Sequence, residues 1–392
     1  MILKGKYLMK NWHHFAFKLT TSLTLILGTT TPIFTKTATK VLADSNSQSQ
    51  NLKTSKELKG KVKGILEKNH MRGSVLLVKD NNSQVINYGY GIYGDKILNG
   101  HVLYPLGSME KVITGAIMTQ LIYESKNSKK PITQYSKLSR WFPQVKGSNK
   151  ITVGHLMTHT SGINIVGTER TQSYSYSEAG AIQWAVNKIN STSSAKRDSF
   201  NYNNANFLLL AGIIRKVTGK SYNANLKSRI IKPLKLKNTF EYQDVPKNKV
   251  MATSYTYRHG HSYQDPVRVT KSLASQLPGA GNLFTTPEDY YKIMQGLDNG
   301  KILTSHQYDY MTTLTSKKTT YSGGVYRRAG GKFKLAYGNI GYTHFSNWME
   351  LTPDNSDGIV IFLNQTPNNN GAAKKVGYKI LKNLKNNFFV EG

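Results

Sequence analysis

An α/β chain of the α+β kind, with one antiparallel sheet built from both chain ends, flanked by helices and interrupted by a helical insertion, is what the sequence predicts. Three observations carry this expectation. Strand patterns occur early, within residues 73–91, and return late, within residues 332–363. Between about 124 and 300, helical periods broken by loops dominate. No internal repeat is found, and one sheet built from both ends with a helical insertion explains the pattern simply.

The elements can be justified in order. Residues 44–52 are rich in Ser, Gln and Asn and read as a linker. Residues 55–69 suit a short amphipathic helix, with Leu58, Val62, Ile65 and Leu66 on one side. Residues 73–80 are apolar and β-branched, Asp80-Asn81-Asn82 is a turn, and residues 85–91 form the return strand of a hairpin. A helix from Ser108 to about Tyr123 should bury a stripe of Val112, Ile113, Ile117, Leu121 and Ile122. Residues 206–217 are strongly helical and stop at Gly219, a suitable C-cap. Pro287 opens a further helix behind Thr285-Thr286. Strands are expected at 332–337, 342–351 and 358–363, with Asp354 to Asp357 as a turn. A basic amphipathic helix over 372–387, with Val376, Ile380, Leu381 and Leu384 on its apolar face, closes the chain. Packing on the sheet is its expected role, with membrane-surface association as the alternative.

Composition bounds the function. The chain of 392 residues has no cysteine, which excludes disulfides, Cys-metal sites and thiol catalysis. Lys4, Lys6 and Lys10 precede an uncharged run from Leu19 to Thr35, and Val41-Leu42-Ala43 offers small or medium residues before Asp44. Residues 1–43 therefore read as a secretory signal, with an uncleaved anchor as the competing reading. The protein is expected outside the cell and associated with the envelope. The formal charge is +32. Without the six lysines of the signal, 47 basic residues face 21 acidic ones, leaving +26. Such an excess favours polyanions. No zinc finger, RNP-like or Gly-rich phosphate motif points to nucleic acid. The nearer polyanions are phosphate-rich polymers and anionic lipids of the envelope.

The chemistry starts at Ser108 and Lys111. Residues three apart on a helix are neighbours. A lysine without its proton can take the hydroxyl proton and make the serine a nucleophile. Tyr202 and Asn204 stand two apart just before the 206–217 helix, and an extended loop turns both to one side. A phenol of lowered pKa can exchange protons, while the amide can orient a substrate or the lysine.

Ser-x-x-Lys followed by Tyr-x-Asn, within this strand pattern, resembles the serine β-lactamase and penicillin-binding-protein superfamily. The resemblance covers about 70–392 and implies a β-lactamase/transpeptidase-like domain there, with a helical subdomain at about 124–300. Residues 151–162, ending His159-Thr160-Ser161-Gly162, and the Gly-rich residues 278–289 are similar to two further family segments and read as architecture. His155 and His159 have metal-pair spacing but lack a third ligand. No cofactor is implied.

The family's third element is Lys-Thr-Gly or His-x-Gly. Its best counterpart is Gly338-Asn339-Ile340-Gly341 followed by Tyr342. Asn339 replaces the cation that in the family helps to hold a substrate's free carboxylate, and a neutral amide cannot supply that charge. The resemblance implies that Gly341 permits close approach of substrate, and that the backbone N–H groups of Ser108 and Tyr342 form an oxyanion hole. Lys111 is expected to have a lowered pKa through burial and neighbouring positive charge.

A basic exported chain without that cation is similar to the teichoic-acid D-alanyl esterases of the superfamily, whose ester substrate has no terminal carboxylate. The alternatives are a D-alanyl-D-alanine carboxypeptidase acting on peptidoglycan stem peptides, a general esterase or β-lactamase, and a non-catalytic envelope-binding module. The Tyr- and Ser-rich stretch 171–177 is a candidate lid.

Overall fold

The computed structural model describes residues 56–169, 173–314, 319–367 and 371–385. The signal segment 1–43 and the linker 44–52 lie outside the described residues.

The early hairpin and the late strands do meet. Arg72–Lys79 pairs antiparallel with Asn82–Tyr88 on one side and with Gly358–Thr366 on the other. Val75 is thus flanked by Ile86 and Ile361. From Gly358–Thr366 the sheet continues through Ser346–Leu351, Phe333–Gly338 and Val325–Arg328 to Tyr321–Ser322. Neighbours along this path pair antiparallel. Alternation then sends the two faces of each strand into different layers.

One face carries Val75, Leu77, Ile86, Trp348, Ile359 and Ile361, and it packs against Leu58, Val62 and Leu66 of the helix at 56–68. Val376 and Ile380 of the terminal helix Ala372–Lys385 join the same layer. That helix therefore spends its apolar face on the sheet rather than on a membrane surface. Leu384, expected on the same face, is a position whose side chain lies outside the description. The opposite face of the sheet, with Leu76, Val78, Met349, Val360 and Phe362, enters the larger core beneath the helices.

Several expectations change. The helix Lys111–Glu124 does not bury a stripe: every residue from Lys111 to Thr119 is buried. It is a central helix, enclosed by the sheet side and by the helices Asn204–Thr218 and Ser305–Thr312. Hence an apolar stripe understates its burial. The second change lies at 254–267, within the stretch expected to be mostly helical. Ser254–Arg258 and His261–Val267 form a hairpin there, and Gln365 pairs in parallel with Tyr255. The short strand is stabilised by the sheet end it joins, a partner remote in sequence. The late strand expected at 342–351 also starts later, at Ser346.

A small second sheet supports the turn that carries Ser108. Val102–Pro105 lies between Leu283–Thr285 and Val250–Met251. Just beyond it, the Leu106 N–H donates to the Leu283 carbonyl at 2.7 Å. The Asn347 amide also donates to the Pro105 carbonyl at 2.7 Å. The chain thus enters the Ser108 turn held by both sheets.

Candidate active site

Gly107–Glu110 forms one tight 3₁₀ turn that runs straight into the helix from Lys111. Gly107 begins it at φ 56°, a left-handed conformation that favours glycine. One turn later, Lys111 Nζ lies 2.9 Å from Ser108 Oγ. The same nitrogen is 2.9 Å from Asn204 Oδ1 and 2.8 Å from the Ala280 carbonyl. A neutral amine in this setting donates to Asn204 and Ala280 and keeps its lone pair for the Ser108 proton. Lys111 has no exposed surface. Burial disfavours its charged form and brings its pKa down to about 7, against the opposing pull of Glu169 and Glu110. The positive neighbours expected from the sequence are not the cause. The charged groups acting on Lys111 are carboxylates.

Tyr202 and Asn204 arrive from the loop before the long helix. Asn203 is the N-cap, its side chain accepting from the Ala205 N–H, so Asn204 is the first helical residue. Tyr202 packs its ring against His159, with centroids 4.2 Å apart, and Lys111 Nζ stands 5.1 Å from the Tyr202 ring centre. Burial pushes the Tyr202 phenol well above its ordinary range, while a hydrogen bond with the Ser108 hydroxyl pulls the other way. This corrects the expectation of a lowered pKa: the phenol holds its proton and can give it, but it does not rest as a phenolate. Asn204 turns its oxygen to Lys111 and its nitrogen to Glu169 Oε1, at 2.8 Å, and to Thr168 Oγ1, at 3.3 Å.

The third element meets the site differently from expectation. Phe333–Gly338 ends against the Ser108 turn. A Cβ at Gly338 would stand 2.3 Å from the Leu106 carbonyl oxygen and 3.0 Å from the Ser108 nitrogen. The half-buried Asn339 follows, its backbone facing Gly107. The Gly341 N–H donates to Glu169 Oε2 at 2.6 Å. Tyr342 then lies in a left-handed turn at φ 60° with its ring exposed. Gly338 is therefore the residue of this element that abuts the Ser108 N–H, and the close approach at Gly341 is made by a carboxylate of the chain itself.

The two histidines have separate duties. The His155 ring accepts from the Thr152 N–H in a capping box, and its other nitrogen lies 2.9 Å from Asp198. His159 is buried beside Tyr202, bonded to the Asn206 amide at 2.9 Å, and burial keeps its ring neutral. Among the described residues, no three His, Cys, Asp or Glu side chains gather as a metal site. Of the candidate lid, residues 171 and 172 lie outside the description, and Tyr176 is tied to Ser275 through its N–H at 3.0 Å.

Three site residues escaped the sequence reading. Ala280 belongs to the Gly-rich segment taken as architecture, yet its carbonyl holds Lys111. Glu110 is wholly buried, accepts from the Leu283 N–H at 3.0 Å, and has a pKa raised to about 8 by burial. Its place inside Ser-x-x-Lys was a visible signal. Glu169 had none, because it sits alone in a loop outside every motif.

The chain is similar to several known proteins. A family model described as Beta-lactamase matches residues 58–382. The teichoic acid D-alanine hydrolase of Staphylococcus aureus is 31% identical over 246 residues, which are 62% of this chain and 58% of that protein. The match thus spans little more than half of that curated relative. The crystal structure of FmtA from Staphylococcus aureus superposes with a TM-score of 0.68 at 27% identity, covering 84% of this chain and 90% of FmtA. The D-amino acid amidase of Ochrobactrum anthropi shares the fold, with a TM-score of 0.69 at 20% identity over 84% of this chain and 99% of the amidase.

Proposed function

The chain belongs to the beta-lactamase family of serine hydrolases, and we propose that it hydrolyses D-alanyl esters of an anionic envelope polymer, most simply teichoic acid, through an acyl-enzyme. The observation that carries the proposal is the buried amine with neutral partners: Lys111 has a near-neutral pKa and lies 2.9 Å from Ser108 Oγ.

In this reading Lys111 removes the Ser108 proton as Oγ attacks the ester carbonyl carbon. Backbone N–H groups at Ser108 and at the end of the third element hold the oxyanion. The C–O bond to the polymer breaks as Tyr202 gives its proton to the leaving alkoxide, and Tyr202 recovers that proton from the Lys111 ammonium. Water then adds to the acyl-enzyme with Lys111 as base, and D-alanine leaves. Asn204 and Ala280 keep the amine aimed throughout.

The substrate class rests on three supports. The chain without its presumed signal has a charge of +26. Asn339 stands where a cation would favour a free carboxylate. The curated relative is named for D-alanine release from teichoic acid. Export and envelope location, expected from the sequence of residues 1–43, belong to the same proposal. No helix among the described residues is long and apolar enough to cross a membrane.

Release of D-alanine from D-alanylated teichoic acid, by the wild-type protein and by Ser108→Ala, tests this reading. Release only by the wild type is expected. Equal release by both overturns the enzyme assignment. Rapid labelling by fluorescent penicillin would instead favour a carboxypeptidase and count against the role given to Asn339.

A further inference from the structure

Glu169 is a carboxylate placed across the mouth of the site, and the proposed chemistry gives it nothing to do. Its Oε1 accepts from the Asn204 amide at 2.8 Å, and its Oε2 accepts from the Gly341 N–H at 2.6 Å. It therefore links the helical side of the cleft to the sheet side. Three hydrogen bonds in series lead from the Ser108 hydroxyl through Lys111 and Asn204 to this carboxylate. Glu169 is half-buried rather than sealed. Its backbone is left-handed, at φ 65°. A glutamate gains nothing from that conformation, so neighbouring contacts must hold it there. Gly341 leaves room for it: a Cβ there would stand 3.1 Å from Glu169 Oε2 and 3.2 Å from Glu169 Cβ.

A fixed negative group beside an acyl-transfer site selects by charge. It disfavours a substrate that brings its own carboxylate and favours one that brings a cation. A D-alanyl ester has an ammonium on the carbon next to the carbonyl under attack. A D-alanyl-D-alanine end has an amide at that position and a free carboxylate beyond it.

We propose that Glu169 is the specificity residue that binds the free α-ammonium of the aminoacyl substrate. The inference rests on the esterase reading above and adds its selectivity rule: free-amine aminoacyl esters are accepted, and N-acylated or peptidyl esters are rejected. Asn339 and Glu169 then act together, one by withholding a positive charge and the other by supplying a negative one. A docked ammonium also neutralises the carboxylate nearest Asn204, so Asn204 keeps its hold on Lys111 while the local charge falls.

The test compares D-alanine methyl ester with N-acetyl-D-alanine methyl ester, on the wild type and on Glu169→Gln. Glutamine keeps the size and an acceptor oxygen but removes the charge. The wild type should prefer the free amine by roughly tenfold to a hundredfold in kcat/KM, the range of a charge-assisted hydrogen bond. Compared at a pH above both acid limbs, the variant should lose most of that preference, with a much larger fall on the free-amine ester than on the acetylated one. An unchanged preference overturns the proposal. So does an equal loss on both esters, which would mark Glu169 as merely structural.

Calorimetric binding separates this idea from the esterase reading. D-alanine methyl ester is titrated into Ser108→Ala and into Ser108→Ala/Glu169→Gln. About tenfold weaker binding by the double variant supports the assignment even if no hydrolysis is seen, and equal binding removes it. Failure of hydrolysis alone sinks only the esterase.

Discussion

Lys111 and Lys334 are both almost wholly removed from water, one at the base of the central helix and the other on a strand of the main sheet. Burial lowers the pKa of each. Their partners differ. Lys111 Nζ meets Ser108 Oγ, Asn204 Oδ1 and the Ala280 carbonyl, all neutral. Lys334 Nζ meets the Asp298 carboxylate at 3.3 Å and the Pro353 carbonyl at 2.8 Å. An ion pair holds a proton in place, whereas neutral acceptors let it go. The same side chain is thus a structural cation in one region and a candidate base in the other.

The widest separation between the two should appear on removing the amines. Lys111→Met should lower D-alanine release by at least about a thousandfold, in line with loss of a member of a nucleophile–base pair. Its unfolding midpoint should stay close to that of the wild type, since an apolar side chain suits the buried site. Lys334→Met should do the reverse. It removes the cation from the Asp298 carboxylate, which keeps the Asn355 amide at 2.9 Å, and should cost about 3 kcal/mol in urea unfolding, with activity per folded molecule nearly unchanged. If Lys334→Met abolished activity at full stability, the contrast would fail.

The pH profile sharpens the same comparison. The folded pKa of Lys111 is about 7, below its ordinary 10.5. The base form is therefore present above about pH 7 and disappears as the pH falls through that value, so the blank-corrected rate should decline on the acid side. Glu169 raises the Lys111 pKa. Removing its charge in Glu169→Gln should move the acid limb to lower pH, read from kcat/KM against pH with N-acetyl-D-alanine methyl ester, whose nitrogen does not titrate. A shift to higher pH would contradict the charge assignment. The smallest effect is expected at Asn339. Asn339→His should speed fluorescent-penicillin labelling by about threefold, as a cation returns to the strand end.

Much of the site was legible because it is local. Ser108 and Lys111 are set by one helical turn, and Tyr202 and Asn204 by one cap. The C-cap at Gly219 and the helix behind Thr286 are equally local and lie where the sequence put them, and the hairpin forms as expected, although its return strand runs over Asn82–Tyr88, three residues earlier than the 85–91 expected. The readings that changed depend on distant partners. The Ser254–Arg258 strand needs the end of Gly358–Thr366. The direction of the Tyr202 shift needs knowledge of its burial. The strand-end reading at Gly341 and Tyr342 missed Gly338, because only packing shows which glycine touches the Ser108 turn.

By itself, the sequence determined the order of the motifs, the absence of thiol chemistry, the basic charge and the turn that sets a hydroxyl beside an amine. These are properties of residue type and short spacing. Only the tertiary structure decided the state of that amine and its neighbours. Ala280, Glu110 and Glu169 reach Lys111 from 169, 1 and 58 positions away along the chain. Removal from water and the distance to a charge are consequences of how the whole chain closes, and both set a proton's affinity.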